Sequence, residues 1–89
     1  MNAIITVVGG DKVGIIAKVS EFLVERNINI ENISQTVLSG NFVMMMMVHL
    51  SGEQKDIENI KRGLTAIGDA MNVSISLMHE KVFSGMYRI

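Results

Sequence analysis

Three groups of residues in this 89-residue chain have types and spacing that could do chemistry. The first is a turn, Gly9-Gly10-Asp11-Lys12-Val13-Gly14-Ile15. An apolar run ends in two glycines, and a helix-like pattern starts just after them. Such a junction can point backbone N–H groups at a ligand, an anion above all. Glycine permits positive φ and close approach of another group, because it has no Cβ. Asp11 is placed to cap the helix by accepting from the free N–H groups of its first turn. A tight strand-to-helix turn that binds nothing fits the same residues. The second group is Met44-Met45-Met46-Met47, whose thioethers are soft ligands of the kind Cu(I) takes. On a strand, Met44 and Met46 face one way and Met45 and Met47 the other, so four sulfurs do not converge. Packing by a deformable side chain is the expected role. The third group is His49 and His79, a conceivable ligand or acid–base pair. Each lies at or near a strand end with no carboxylate pattern beside it, so packing or surface roles are expected.

The chemistry excluded is broader. There is no cysteine, which removes disulfides, thiol catalysis and thiolate metal sites. No Ser/His/Asp order, paired-carboxylate site or HExxH is present, so a non-enzymatic protein without a cofactor or metal is expected. The net charge is −1, which steers the chain to neither nucleic acid nor an anionic membrane. No apolar run approaches the ~20 residues that span a bilayer. The N-terminus lacks the basic region, apolar core and cleavage site of a signal peptide, so a cytoplasmic protein is the default. At 48% hydrophobic and 19% charged, the composition is that of a globular chain. Its length gives one domain, which buries roughly 60–65% of its unfolded surface and often gains from oligomerisation.

The elements that must position these residues follow from periodicity. Residues 3–8 are β-branched and apolar and read as a strand. Residues 12–26 read as a helix. Ile15, Ile16, Val19, Phe22 and Leu23 form one stripe, and Asn27 is a candidate left-handed terminator. Residues 30–38 alternate imperfectly, with Ile33, Gln35 and Val37 set against Asn32, Ser34, Thr36 and Leu38. That is a strand with one wetter face. Ser39-Gly40-Asn41 is a hairpin turn, with Gly-Asn supplying residues tolerant of positive φ. Residues 42–50 return as an antiparallel strand. Ser51 and Gln54 have capping-box spacing. The helix that follows carries Ile57, Ile60, Leu64, Ile67 and Met71 at three- and four-residue intervals. Gly63 and Gly68 weaken it by about 1 kcal/mol each relative to alanine, or else permit close packing on the sheet. Residues 72–78 alternate cleanly as a strand. Residues 79–89 form a tail with Val82, Phe83, Met86 and Tyr87 at helical spacing.

The order βαββαβ is the ferredoxin-like, split α+β pattern. Strands 1 and 3 are apolar on both faces, as central strands tend to be, and strands 2 and 4 alternate, as edges do. This predicts an antiparallel sheet of order 4-1-3-2 with two helices on one face and a short C-terminal tail. Two helices leave the other face bare, where Ile4, Thr6, Val8, Val43, Met45, Met47 and His49 would lie. An apolar patch of several hundred Å² exceeds what soluble monomers usually expose. A second subunit, the tail or both are its expected covers, so a homodimer or higher homo-oligomer is predicted. RNA-recognition domains share the plan but stack bases on central aromatics, which these strands lack. An acylphosphatase needs an arginine in the first loop, where this chain has Asp11 and Lys12.

The run V-V-G-G-D-K-V-G-I-I-A-K-V-S-E-F-L followed by N-I-N-I-E-N-I-S-Q resembles the ACT domain. The turn is G-x-D-x-x-G-I-like, and the second strand opens with an N-I-like step carrying Ile30, Asn32 and Ile33. The resemblance covers residues 2 to about 79 and gives a domain at 1–79 and a tail at 80–89, which packs on the domain or on a partner subunit. The M-Y-R-I ending is similar to that of small stand-alone prokaryotic ACT proteins. The resemblance implies a regulatory module that dimerises and binds a small ligand, commonly an amino acid, between subunits. Carried over by position, Gly10, Asp11, Val13, Gly14 and Ile15 form one wall. Asn32, Ile33 and Ser34 of the neighbour form the other. The chain departs from many family members in having no attached catalytic or DNA-binding domain, which leaves a regulated partner protein unspecified. A structural interaction module with an empty turn is the alternative that the residues allow.

Overall fold

A computed structural model describes residues 2–10, 14–50 and 57–86. The elements run β1 (Asn2–Gly9), α1 (Ile15–Glu25), β2 (Asn29–Leu38), β3 (Asn41–His49), α2 (Ile57–Met71), β4 (Ser74–His79) and α3 (Glu80–Met86). The four strands form one antiparallel sheet in the order β2-β3-β1-β4, the predicted 4-1-3-2 order seen from its other edge. The two strands that are apolar on both faces are the central ones.

Alternation along the central strands builds the core. Ala3, Ile5 and Val7 of β1 and Phe42, Met44, Met46 and Val48 of β3 are buried on one face. They meet Ile15, Val19, Phe22 and Leu23 of α1 and Ile60 and Leu64 of α2. These helix residues belong to the stripes that the sequence predicts. The core of described residues is entirely apolar, with no buried polar or charged side chain. No helix among the described residues is long and apolar enough to cross a membrane.

Both long helices end in the same way. The Asn27 N–H donates to Val24 O and the Ile28 N–H to Leu23 O, with Asn27 at φ +56°. This is a Schellman closure, with the buried pair Ile28 and Leu23 as its hydrophobic contact. Asn72, at φ +61°, ends α2 likewise, with the Val73 N–H donating to Gly68 O. Asn27 is thus the terminator that its type suggests.

Three local expectations change. Helix α1 begins at Ile15, not residue 12, and its N-cap is Gly14 at φ +79° with no side-chain cap, so Asp11 is not the N-cap residue. The hairpin turns on Ser39 (φ +51°) and Gly40 (φ +79°), and Asn41 opens β3. A two-residue type I′ turn needs positive φ at both central positions, which places them one residue earlier than the Gly-Asn reading. Strand β2 contains a bulge. Ile30 pairs with Val48 and Asn32 with Met47, leaving Glu31 unpaired. The bulge explains the imperfect alternation. It lets Ile30 and Ile33 both register with core-facing residues of β3, and it moves Asn32, Ser34 and Thr36 to the opposite face. The capping box at residues 51–54 lies outside the described residues.

Candidate functional site

The turn after β1 begins where the sheet stops. Gly9 makes the last pair, with Phe42, and Gly10 is exposed. Asp11, Lys12 and Val13 lie outside the described residues. Gly14 is exposed and left-handed, a conformation that suits a residue without a Cβ. The first intrahelical bond runs from Lys18 N–H to Gly14 O, 3.0 Å. The N–H groups of Ile15, Ile16 and Ala17 therefore precede the helical ladder. Gly14 has no side chain with which to cap them, and they lie at the partial positive charge of the helix start. Ile15 as a whole is 1% exposed and packs in the core, so the accessible part of the helix start lies at Ile16 and Ala17. An added Cβ on Gly14 would lie 3.5 Å from Met71 Cε, so the end of α2 stands beside the start of α1.

The second predicted wall is split by strand alternation. Asn32 and Ser34 register with Met47 and Met45 on the sheet face without α1 and α2, whereas Ile33 registers with Met46 on the helix side, 40% exposed. Asn32 and Ser34 line a shallow depression with Ile4, Met45, Met46 and Met47. This association was not read from the sequence. Its signal was the broken alternation at Glu31, where a bulge reverses the faces.

The two walls do not meet within one chain. Ser34 aligns with Thr6 through Met45, four residues before Gly10 and two strands away. At ~3.3 Å per residue and ~4.8 Å per strand the separation is roughly 16 Å, and it is greater for Asn32. A site that uses both walls needs a second copy.

The remaining candidates have structural partners. His49 Nδ1–H donates to Asn2 Oδ1, 2.9 Å, in the tautomer that suits this acceptor. The Lys81 N–H donates to His79 Nδ1, 3.0 Å, so His79 caps the first turn of α3. No group of three or more His, Cys, Asp or Glu among the described residues is arranged to hold a metal ion. Met44 and Met46 are fully buried, while Met45 and Met47 are half-buried on the other face. The sulfurs are divided as alternation requires.

Comparison with known proteins adds a family. The model of the ACT domain matches residues 2–78. A UPF0237 protein of Clostridium perfringens is 48% identical over 89 residues, the full length of both chains. The solved ACT domain protein from Streptococcus pneumoniae superposes with a TM-score of 0.83 at 45% identity, covering 98% of each chain. The regulatory subunit of aspartate kinase from Thermus thermophilus superposes with a TM-score of 0.62 at 28% identity, over 85% of this chain and 49% of that one.

Proposed function

The chain belongs to the ACT domain family, and from that membership we propose that it is a non-enzymatic regulatory module that binds an amino acid between the subunits of a homodimer. ACT domains are regulatory, ligand-binding modules, and the aspartate kinase neighbour is named as a regulatory subunit. The observation that supports the reading is the start of α1, where the N–H groups of Ile16 and Ala17 precede the helical ladder and Gly14 offers no capping side chain. Free N–H groups at a helix start suit a carboxylate, and Gly14 leaves space for one to approach. A carboxylate or amide oxygen, from Asp11 or from the partner's Asn32, suits the ammonium group. The walls at Gly10, Asp11, Val13, Gly14 and Ile15 and at Asn32, Ile33 and Ser34 remain the proposed site. The partner supplies the second wall, and Ile33 borders it from the helix side. The ligand acts by changing the association of the dimer with another protein.

A thermal-shift screen of the twenty amino acids and the purines tests this. A ligand at 100 times its Kd stabilises by about 2.7 kcal/mol. For a domain of this size that raises Tm by roughly 10 °C or more. Gly14→Val then removes the shift while the dimer persists. A flat response to every compound overturns the ligand reading and leaves an interaction module with an empty turn.

A further inference from the structure

The open face of the sheet is built unlike the rest of the surface. Its central strands present Ile4, Val8, Val43, Met45 and Met47 with a single threonine, Thr6, among them, and Met78 of β4 aligns with Ile4. Ile4 is 7% exposed and Val8 is 40% exposed. Around this apolar middle the edges are neutral and polar, with Asn32, Ser34 and Thr36 on β2 and Ser74 and Ser76 on β4. No Asp, Glu, Lys or Arg occupies any paired position on this face. The exposed charges of α1 and α2, such as Lys18, Glu21, Lys61 and Asp69, belong to the helical layer. Helix α3 lies against β1 and β4 and touches neither α1 nor α2.

We infer that a second copy of this chain covers the open face, the two sheets stacking about a two-fold axis. This rests on the dimeric reading above and names the surface that makes the dimer. An apolar centre with a polar rim and no charge at the paired strand positions resembles the composition of an interface core. Neutrality also selects a second copy over a charged partner. In a two-fold contact the same patch meets itself, so any charge near the axis would face its own copy. The area suffices. Strands of six to ten residues, four across, give a face of roughly 500 Å² in projection. Two such faces reach the ~1,000 Å² that separates specific interfaces from chance contacts. Met45 and Met47 adapt their shape to a partner, which suits a surface that packs on itself.

Sedimentation of three proteins tests the surface. Met45→Glu places a carboxylate in the centre of the face, where it reaches water in a monomer and is buried in the dimer. Val37→Glu is the control, since Val37 is 60% exposed and registers with Phe42 on the opposite face of the edge strand. The wild type and Val37→Glu are expected to be dimers. Met45→Glu is expected to raise the dissociation constant by roughly 30-fold or more, the loss typical of a central interface residue. Dimerisation lost in Val37→Glu and kept in Met45→Glu overturns the surface and leaves the dimeric reading standing, with the β2 edge as the contact. A monomeric wild type up to several hundred micromolar overturns both. If Met45→Glu does not fold, peroxide oxidation of the wild type decides. Met45 and Met47 are expected to oxidise more slowly at concentrations where the protein is dimeric than on dilution, and equal rates overturn the proposal. Thermal shifts with amino acids are scored separately, so the ligand stands or falls independently.

Discussion

Gly68 separates what a residue type suggests from what its neighbours require. In an exposed helix a glycine costs about 1 kcal/mol relative to alanine, so Gly68→Ala would be expected to stabilise. The fold reverses the sign. A Cβ there would lie 2.7 Å from the carbonyl oxygen of Val73 and 3.3 Å from Ile75 Cγ1. The first is backbone, tied back to Gly68 by the Val73 N–H at 2.9 Å, and cannot swing away. Overpacking of this kind costs about 1–3 kcal/mol. Gly68→Ala should therefore lower Tm by several degrees in calorimetry. Gly63→Ala should cost less, although its Cβ would also clash, because it meets only the ring of Phe22 and a ring edge can shift. That ring carries the Arg26 guanidinium 3.7 Å above its centroid, which limits but does not prevent the movement. The sequence allowed both readings of these glycines. The choice depends on neighbours beyond the helix or before it in the chain: Val73 and Ile75 for Gly68, and Phe22 of α1 for Gly63.

Elements were legible where one period ran unbroken. The stripes of α1 and α2 and the clean alternation of β4 predicted their buried faces, and the two-sided apolarity of β1 and β3 predicted the sheet order. Strand β2 was less legible because the period slips at Glu31, so the face that carries Asn32 and Ser34 depends on one unpaired residue. Helix ends were legible in part. Asn27 announced its terminus, but Gly14 took the N-cap position for which Asp11 had the better chemistry. The Asn termini also have a measurable cost. Asparagine tolerates the left-handed region less well than glycine does. Asn27→Gly should raise the urea midpoint by an amount equal to about 0.5–1 kcal/mol, with the slope of the transition unchanged. A shift of the same size is expected for Asn72→Gly, since both positions close a Schellman motif.

At the scale of the whole molecule, the domain is a slab of one helical layer on one sheet, with principal extents of 38 × 34 × 19 Å. The glycine turn stood out from its own residues, whereas Asn32, Ile33 and Ser34 came only through the family resemblance, because the two walls lie roughly 16 Å apart within a chain and a single sequence does not display its neighbour. A dimer held through the sheet links stability to concentration. Tm should rise as the protein concentration is raised, whereas a monomer's would not. Differential scanning calorimetry over a hundredfold dilution checks this. One consequence of the methionine row belongs to assembly of the chain itself. Slide β3 by one residue and Met45 replaces Met44 in the core, with identical volume and chemistry. The row therefore carries no phase information: four equal letters read the same in either frame. The frame comes from what flanks the row: buried Phe42 and Val48 against exposed Asn41 and His49 in the same strand, the left-handed pair Ser39 and Gly40, and the unpaired Glu31 on the facing strand.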